Sequence, residues 1–233
     1  MTELIRQSEQ DGVVLLEIDN PPVNAVATPH IEALCDVARA LDPDRPVVLT
    51  GRGKAFSAGV DTTAFGAYSG DERATMILAI TQMVAALLAR SAPLVAAVNG
   101  HAIGGGMVLM LCADYRMAAD GPLKIGLAEA QAGVPFPAGP LEIIRSEIEP
   151  GILRRLTLSS QLIDAQTAHA AGLVDELCSG EKLIGTAVER AAKLASQPAF
   201  SVVKQQVRGP LAARVQAIAQ AGIDPLADVM RKG

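Results

Sequence analysis

Between Leu94 and Ala113 the chain reads LVAAVNGHAIGGGMVLMLCA, an apolar run broken by glycines and followed by a second apolar run. The first run has the length and composition of a buried strand and the second of a buried helix. Gly104, Gly105 and Gly106 stand where one becomes the other. Without Cβ atoms they let another group approach the backbone closely, and the first N–H groups of the following helix have no partner within it. The segment therefore predicts an oxyanion or phosphate site set inside a hydrophobic core. Its length approaches that of a membrane span, but Asn99, His101 and the glycines make it a buried strand and helix of a water-soluble protein.

A chain of 233 residues, half of them apolar, supports one large core with a terminal extension. A formal net charge of −5 argues against nucleic acid or an anionic membrane as partner, since both need a basic surface. Cys35, Cys112 and Cys178 are far apart and odd in number, so neither a disulfide framework nor a metal site is expected, and a reducing cytoplasm fits. The N-terminal segment MTELIRQSEQD lacks the apolar stretch of a secretory signal.

Residues 12–19 and 46–50 read as strands, with a helix between them from Pro29 to Leu41 capped by Thr28. Apolar positions at helical spacing predict a helix over 71–90, and 115–119 reads as a further strand. Beyond Asp120 the pattern is mainly helical, over 141–149, 151–159, 164–171, 183–196 and 199–208, with a short interruption at 173–175. The last stretch, 209–233, is helical without strong periodicity. Alternating strands and helices imply an α/β core with parallel pairing, and three strand, glycine turn and helix units suit a stacked ββα spiral.

Three kinds of chemistry compete for the glycine turns. Gly100 to Gly105, with Asp120 after the next strand, partly fits a dinucleotide fingerprint, although Ala102 replaces the middle glycine. Ser57, with His169 downstream, partly fits a nucleophile elbow, although too few strands precede it. In the third reading both turns act together, each presenting one backbone N–H to a single carbonyl oxygen, as an oxyanion hole does.

Two segments decide among them. Gly51 to Asp61, GRGKAFSAGVD, and Ala97 to Gly106, AVNGHAIGGG, resemble the two signature segments of the crotonase superfamily, the enoyl-CoA hydratases and isomerases. GLVD at 172–175, after DAQTA at 164–168, is similar to a later signature of that family. The resemblance spans about residues 10–205. It implies a crotonase-like ββα-spiral core over 1–190, a helical C-terminal region over 191–233, and a homotrimer or hexamer. It further implies an acyl-CoA thioester substrate, with coenzyme A arriving as part of that substrate and no permanently bound cofactor. The matching oxyanion donors are the amides of Ala58 and Gly105. Val23 and Ala25, with Ala58, Gly59, Val60 and Asp61, match the backbone that lines coenzyme A. Arg52, Lys54, Lys204 and Arg208 are candidate partners for its phosphates, or else solvated charge.

Hydratases of the family carry two glutamates. The first position holds Val108 here, while the second matches Glu129 in KIGLAEAQAG. A lone carboxylate beside an enolate site can move a proton between carbons, so the expected activity is 3-enoyl-CoA to 2-enoyl-CoA isomerisation with Glu129 as acid and base. Hydration, another crotonase reaction, or acyl-CoA binding without catalysis are the alternatives. Hydration would need a partner for Glu129, with Asp61 and Glu142 as candidates. The stretch Val134 to Pro140, VPFPAGP, is expected to form a stiff apolar wall of the acyl pocket.

Overall fold

The computed structural model describes residues 4–232. It opens with an antiparallel hairpin, β1 (Ile5–Gln10) and β2 (Val13–Ile18), turned at Asp11 and Gly12, which both have positive φ. Helix α1 (Thr28–Ala40) follows. Thr28 is its first helical residue rather than its cap; Ala27 holds the cap position without a side-chain bond, and Pro29 supplies the preset φ of the first turn.

The same ββα pattern then occurs three times. β3 (Val47–Gly51) and β4 (Ala55–Ser57) lead into α2 (Thr62–Ala67) and α3 (Gly70–Leu88). β5 (Leu94–Val98) and β6 (His101–Ile103) lead into α4 (Gly105–Leu111). β7 (Tyr115–Ala119) and β8 (Ile125–Gly126) lead into the single turn α5 (Glu129–Ala132). The longer strand of each unit joins a six-stranded sheet, and the shorter one joins a three-stranded sheet ordered β4-β6-β8. All pairings within the three units are parallel. This is the expected spiral. Every residue of β3 and β5 is buried, as unbroken apolar strands of a covered parallel sheet should be.

The helical region comprises α6 (Ala138–Glu147), α7 (Pro150–Ser159), α8 (Ala165–Ala170), α9 (Leu183–Ala195), α10 (Phe200–Ala221) and α11 (Pro225–Lys232). β9 (Glu176–Cys178) pairs with β7 and closes the large sheet, ordered β1-β2-β3-β5-β7-β9. The interruption expected at 173–175 therefore falls just before a strand. Helix α10 also runs beyond its expected end at 208, through Pro210. Gly209, Leu211 and Val215 are buried, and α10 packs on α3 and α6, so tertiary contact overrides the local cost of the proline.

One polar anchor ties this region to the spiral, and a second ties its far end back to its first helix. The Asp114 carboxylate receives Lys204 Nζ at 2.6 Å, Arg208 at 2.9 Å and the Leu94 amide at 2.9 Å. Arg208 also reaches Glu147 at 3.2 Å, and Glu147 pairs with Arg116. Lys204 and Arg208 are thus interior structural cations and do not serve a nucleotide phosphate. Burial pushes the Lys204 ammonium below its ordinary pKa, opposed by Asp114. The second anchor is Asp224, only 2% exposed. Its carboxylate accepts the Leu226 amide at 2.9 Å and the Ala138 amide at 2.7 Å. Helix α6 has no capping side chain of its own, so its N-terminus is capped from the far end of the chain. Among the described residues no helix is long and apolar enough to cross a membrane.

Asp114→Ala leaves the interior Lys204 without its carboxylate and Arg208 with Glu147 alone, and is expected to cost about 3–5 kcal/mol of stability, read from denaturant midpoints. Asp224→Ala leaves the α6 and α11 amides without their acceptor and is expected to cost about 1–2 kcal/mol in the same measurement.

Candidate active site

The three short strands of the small sheet all run in one direction, so their C-terminal ends bring three loops together. Ser57-Ala58-Gly59 leaves β4, Gly104 and Gly105 leave β6, and Leu127-Ala128-Glu129 leaves β8. Two asparagines fix the β3–β4 turn that leads into the first of these loops. Asn24, fully buried with φ of 50°, donates to the carbonyls of Arg52 at 2.9 Å and Ala55 at 2.7 Å. Asn99 donates to the carbonyls of Gly51 at 2.7 Å and Gly53 at 3.0 Å.

At the crossing, backbone meets backbone. A Cβ on Gly106 would stand 2.1 Å from the Ser57 carbonyl oxygen, and one on Gly59 would stand 2.7 Å from the Gly105 nitrogen. Gly59 also has φ of 80°, a left-handed value that side chains resist. Only glycine satisfies either position.

Two residues of the crossing turns line the resulting cavity. Gly105 is the first residue of α4 and lines it, as does Val60. A parallel bridge joins Val26 to Val60, formed by the Val26 amide on Gly59 O and the Asp61 amide on Val26 O. That pattern leaves the Val60 N–H out of the ladder. A Cβ on Gly105 would lie 3.6 Å from the Val60 nitrogen, so the two N–H-bearing atoms are neighbours. Ala58 departs from expectation: its amide donates to Val23 O at 2.9 Å and is committed to the fold. Ala58 and Val60 are two residues apart, and which amide stays unpaired depends on the Val23 segment, whose approach no local pattern encodes.

Glu129 opens α5 and lines the same cavity. Its Oε1 would lie 3.3 Å from a Cβ on Gly104, and its Oε2 is buried without a hydrogen-bond partner. Burial pushes its pKa up from 4.5 to about 7. The other lining residues are apolar or glycine, Val108 and Leu109 from α4, Ile77, Ile80, Met83 and Val84 from α3, and Phe65 from α2 among them. The expected wall is present too, with Val134 to Pro137 and Pro140 bordering the cavity.

The remaining candidates lie elsewhere. Asp61 caps α2, its carboxylate accepting the amides of Thr63 at 3.0 Å and Ala64 at 2.9 Å. Glu142 meets Arg214 at 3.0 Å on another face of α6 and is not among the lining residues. Neither supplies a second base. Arg52 pairs with Asp19 at 2.7 Å and stays half exposed, and Lys54 is exposed. Ser57 is fully buried, its hydroxyl donating to Asn24 O at 2.8 Å, and His169 Nδ1 lies 2.9 Å from Val174 O. Ser57 and His169 therefore do not act as a nucleophile and its base. The dinucleotide reading fails as well, because a carboxylate occupies the space against Gly104 where a pyrophosphate would need cationic or neutral donors. No cluster of metal-ligating side chains occurs among the described residues.

This arrangement can hold an oxygen between two amides and move a proton beside it. Comparison with known proteins agrees. Residues 8–230 match the model of the enoyl-CoA hydratase/isomerase family. The 2,3-dehydroadipyl-CoA hydratase of Escherichia coli (strain K12) is 33% identical over 215 residues, covering 89% of this chain and 82% of that protein. The probable enoyl-CoA hydratase EchA17 of Mycobacterium tuberculosis (strain ATCC 25618 / H37Rv) is 31% identical over 195 residues, covering 82% of this chain and 74% of that protein. The crystal structure of human mitochondrial delta3-delta2-enoyl-CoA isomerase superposes with a TM-score of 0.89 at 27% identity, over 98% of this chain and 92% of that one. The crossed glycine turns, the buried carboxylate and these likenesses make the chain a member of the enoyl-CoA hydratase/isomerase family, an enzyme of the crotonase fold that acts on coenzyme A thioesters.

Proposed function

We propose that the protein isomerises 3-enoyl-CoA to 2-enoyl-CoA. The observation that carries this reading is that Glu129 is, among the described residues, the sole titratable side chain lining the cavity. The thioester oxygen sits between the amides of Val60 and Gly105, and the segments Val23 to Ala25 and Ala58 to Asp61 run along coenzyme A. Glu129 takes a proton from C2. The C–H electron pair spreads over the thioester as a dienolate, whose oxygen the two amides stabilise, each contributing on the order of 10²–10³ in rate. The same carboxyl returns the proton at C4, leaving the double bond between C2 and C3. No electron is gained or lost.

Hydration would require a second polar group to orient water. Val108 and Leu109 occupy the neighbouring wall, and both candidate partners, Asp61 and Glu142, are engaged elsewhere. A carboxyl held near neutrality by desolvation suits reversible proton transfer at pH 7. For assembly, we assign the exposed Val203 and Val207, one turn apart on α10, to contacts between copies in the expected trimer.

Glu129→Gln is expected to lower kcat for 3-enoyl-CoA by about 10²–10⁴ while thioester binding persists. Wild-type turnover should fall as pH drops through about 7, where Glu129 protonates. Rapid addition of water to 2-enoyl-CoA by the wild type would exclude this reading. The raised pKa also has a stability consequence. From pH 4.5 to about 7 the folded protein binds a proton that the unfolded chain releases, so this group destabilises the fold increasingly as pH rises. Glu129→Gln removes that penalty. Its denaturation midpoint should exceed that of the wild type at pH 8 and match it below pH 4.

A further inference from the structure

Glu129, Pro135 and Phe136 border two cavities at once. The inner one, lined by Val60 and Gly105 among others, has a volume of about 50 Å³. For scale, a cavity of about 150 Å³ accommodates one benzene. The inner space therefore fits a few carbons beyond the thioester and no more. On the other side of the shared residues lies a larger cavity of about 720 Å³, walled by Leu141 and Ile144 of α6 and Leu153, Thr157 and Leu158 of α7. The exposed Arg145 and Arg154 also border it. Leu158, 77% exposed, lies at its rim.

We infer that the outer cavity receives the distal part of a long, unbranched acyl chain, with Phe136 as the partition the chain passes and the residue that sets the preferred length. Three features support this occupant. The outer cavity adjoins the reacting carboxyl through shared wall residues, its α6 and α7 faces are mainly aliphatic, and the inner cavity alone is too small for a medium chain. The stiffness of Val134-Pro135-Phe136-Pro137 keeps Phe136 in place, because each proline fixes its own φ and restricts the residue before it. The substrate class is accordingly a 3-enoyl-CoA of medium to long chain. This rests on the proposed thioester site, since the chain must start at the oxyanion amides.

Saturated acyl-CoAs of four, eight, twelve and sixteen carbons, titrated calorimetrically, test the inference without depending on the reaction catalysed. Burial of methylenes predicts a gain of up to about fourfold each, so the twelve-carbon thioester should bind at least about 100-fold tighter than the four-carbon one. Leu158→Asp, at an exposed position that folding tolerates, should weaken the twelve-carbon ligand at least about tenfold more than the four-carbon one. Phe136→Trp should act in the same direction by narrowing the passage. Equal affinity for all lengths, or a long-chain gain that survives both substitutions, overturns the assignment while leaving the thioester site standing. Failure of every acyl-CoA to bind overturns both.

Discussion

The structure depends on two backbone turns approaching each other with no side chains between them. Gly59 leaves β4 and Gly105 opens α4, and the gap between them is too small for a methyl group. That contact puts the Val60 and Gly105 amides side by side, and the short parallel strands behind them leave little freedom to part. Behind them, Asn24 and Asn99 fix the β3–β4 turn by donating to the carbonyls of Gly51, Arg52, Gly53 and Ala55. For the oxyanion of the proposed reaction the donors would be backbone, fixed before any ligand arrives.

Electrostatics follow from the same packing. The loop after β8 delivers Glu129 into a cavity otherwise walled by aliphatic side chains, rings and glycine, so water solvates its charge poorly. Desolvation, with no compensating donor to Oε2, raises the pKa to about 7. The cost falls on stability at neutral pH, which is where catalytic groups commonly conflict with the fold that carries them. The spiral's large buried core supplies the margin.

Helices α10 and α11 brace the site although none of their residues lines the inner cavity. Asp224 caps the helix that begins with the cavity wall at Pro137 and Pro140. Helix α11 packs its buried Ala227 against Ala74 and Ile77 of α3, and Ile77 is itself a wall residue. Lys204 and Arg208, anchored on Asp114, fix α10 against the end of the second ββα unit. The pocket is thus braced by residues more than 80 positions away in sequence.

The sequence by itself determined the spiral, the glycine turns and Glu129. Unbroken apolar strands, glycine runs at strand ends and a carboxyl at a matching motif position are local patterns, and each reflects a local physical requirement. Only the tertiary structure decided the rest. The short strands β4, β6 and β8 span two or three residues each, too few to show a period, yet they assemble the site. Whether Ala58 or Val60 offers its amide depended on the Val23 carbonyl reaching one of them first. Likewise Lys204 and Arg208 read as phosphate partners until Asp114 and Glu147 were seen to face them, and Asp61 and Glu142 read as possible bases until a cap and an arginine claimed them. In each case charge and residue type were visible along the chain, but their use was set by a neighbour distant in sequence, because a polar group buried by folding must take whichever partner the packing supplies.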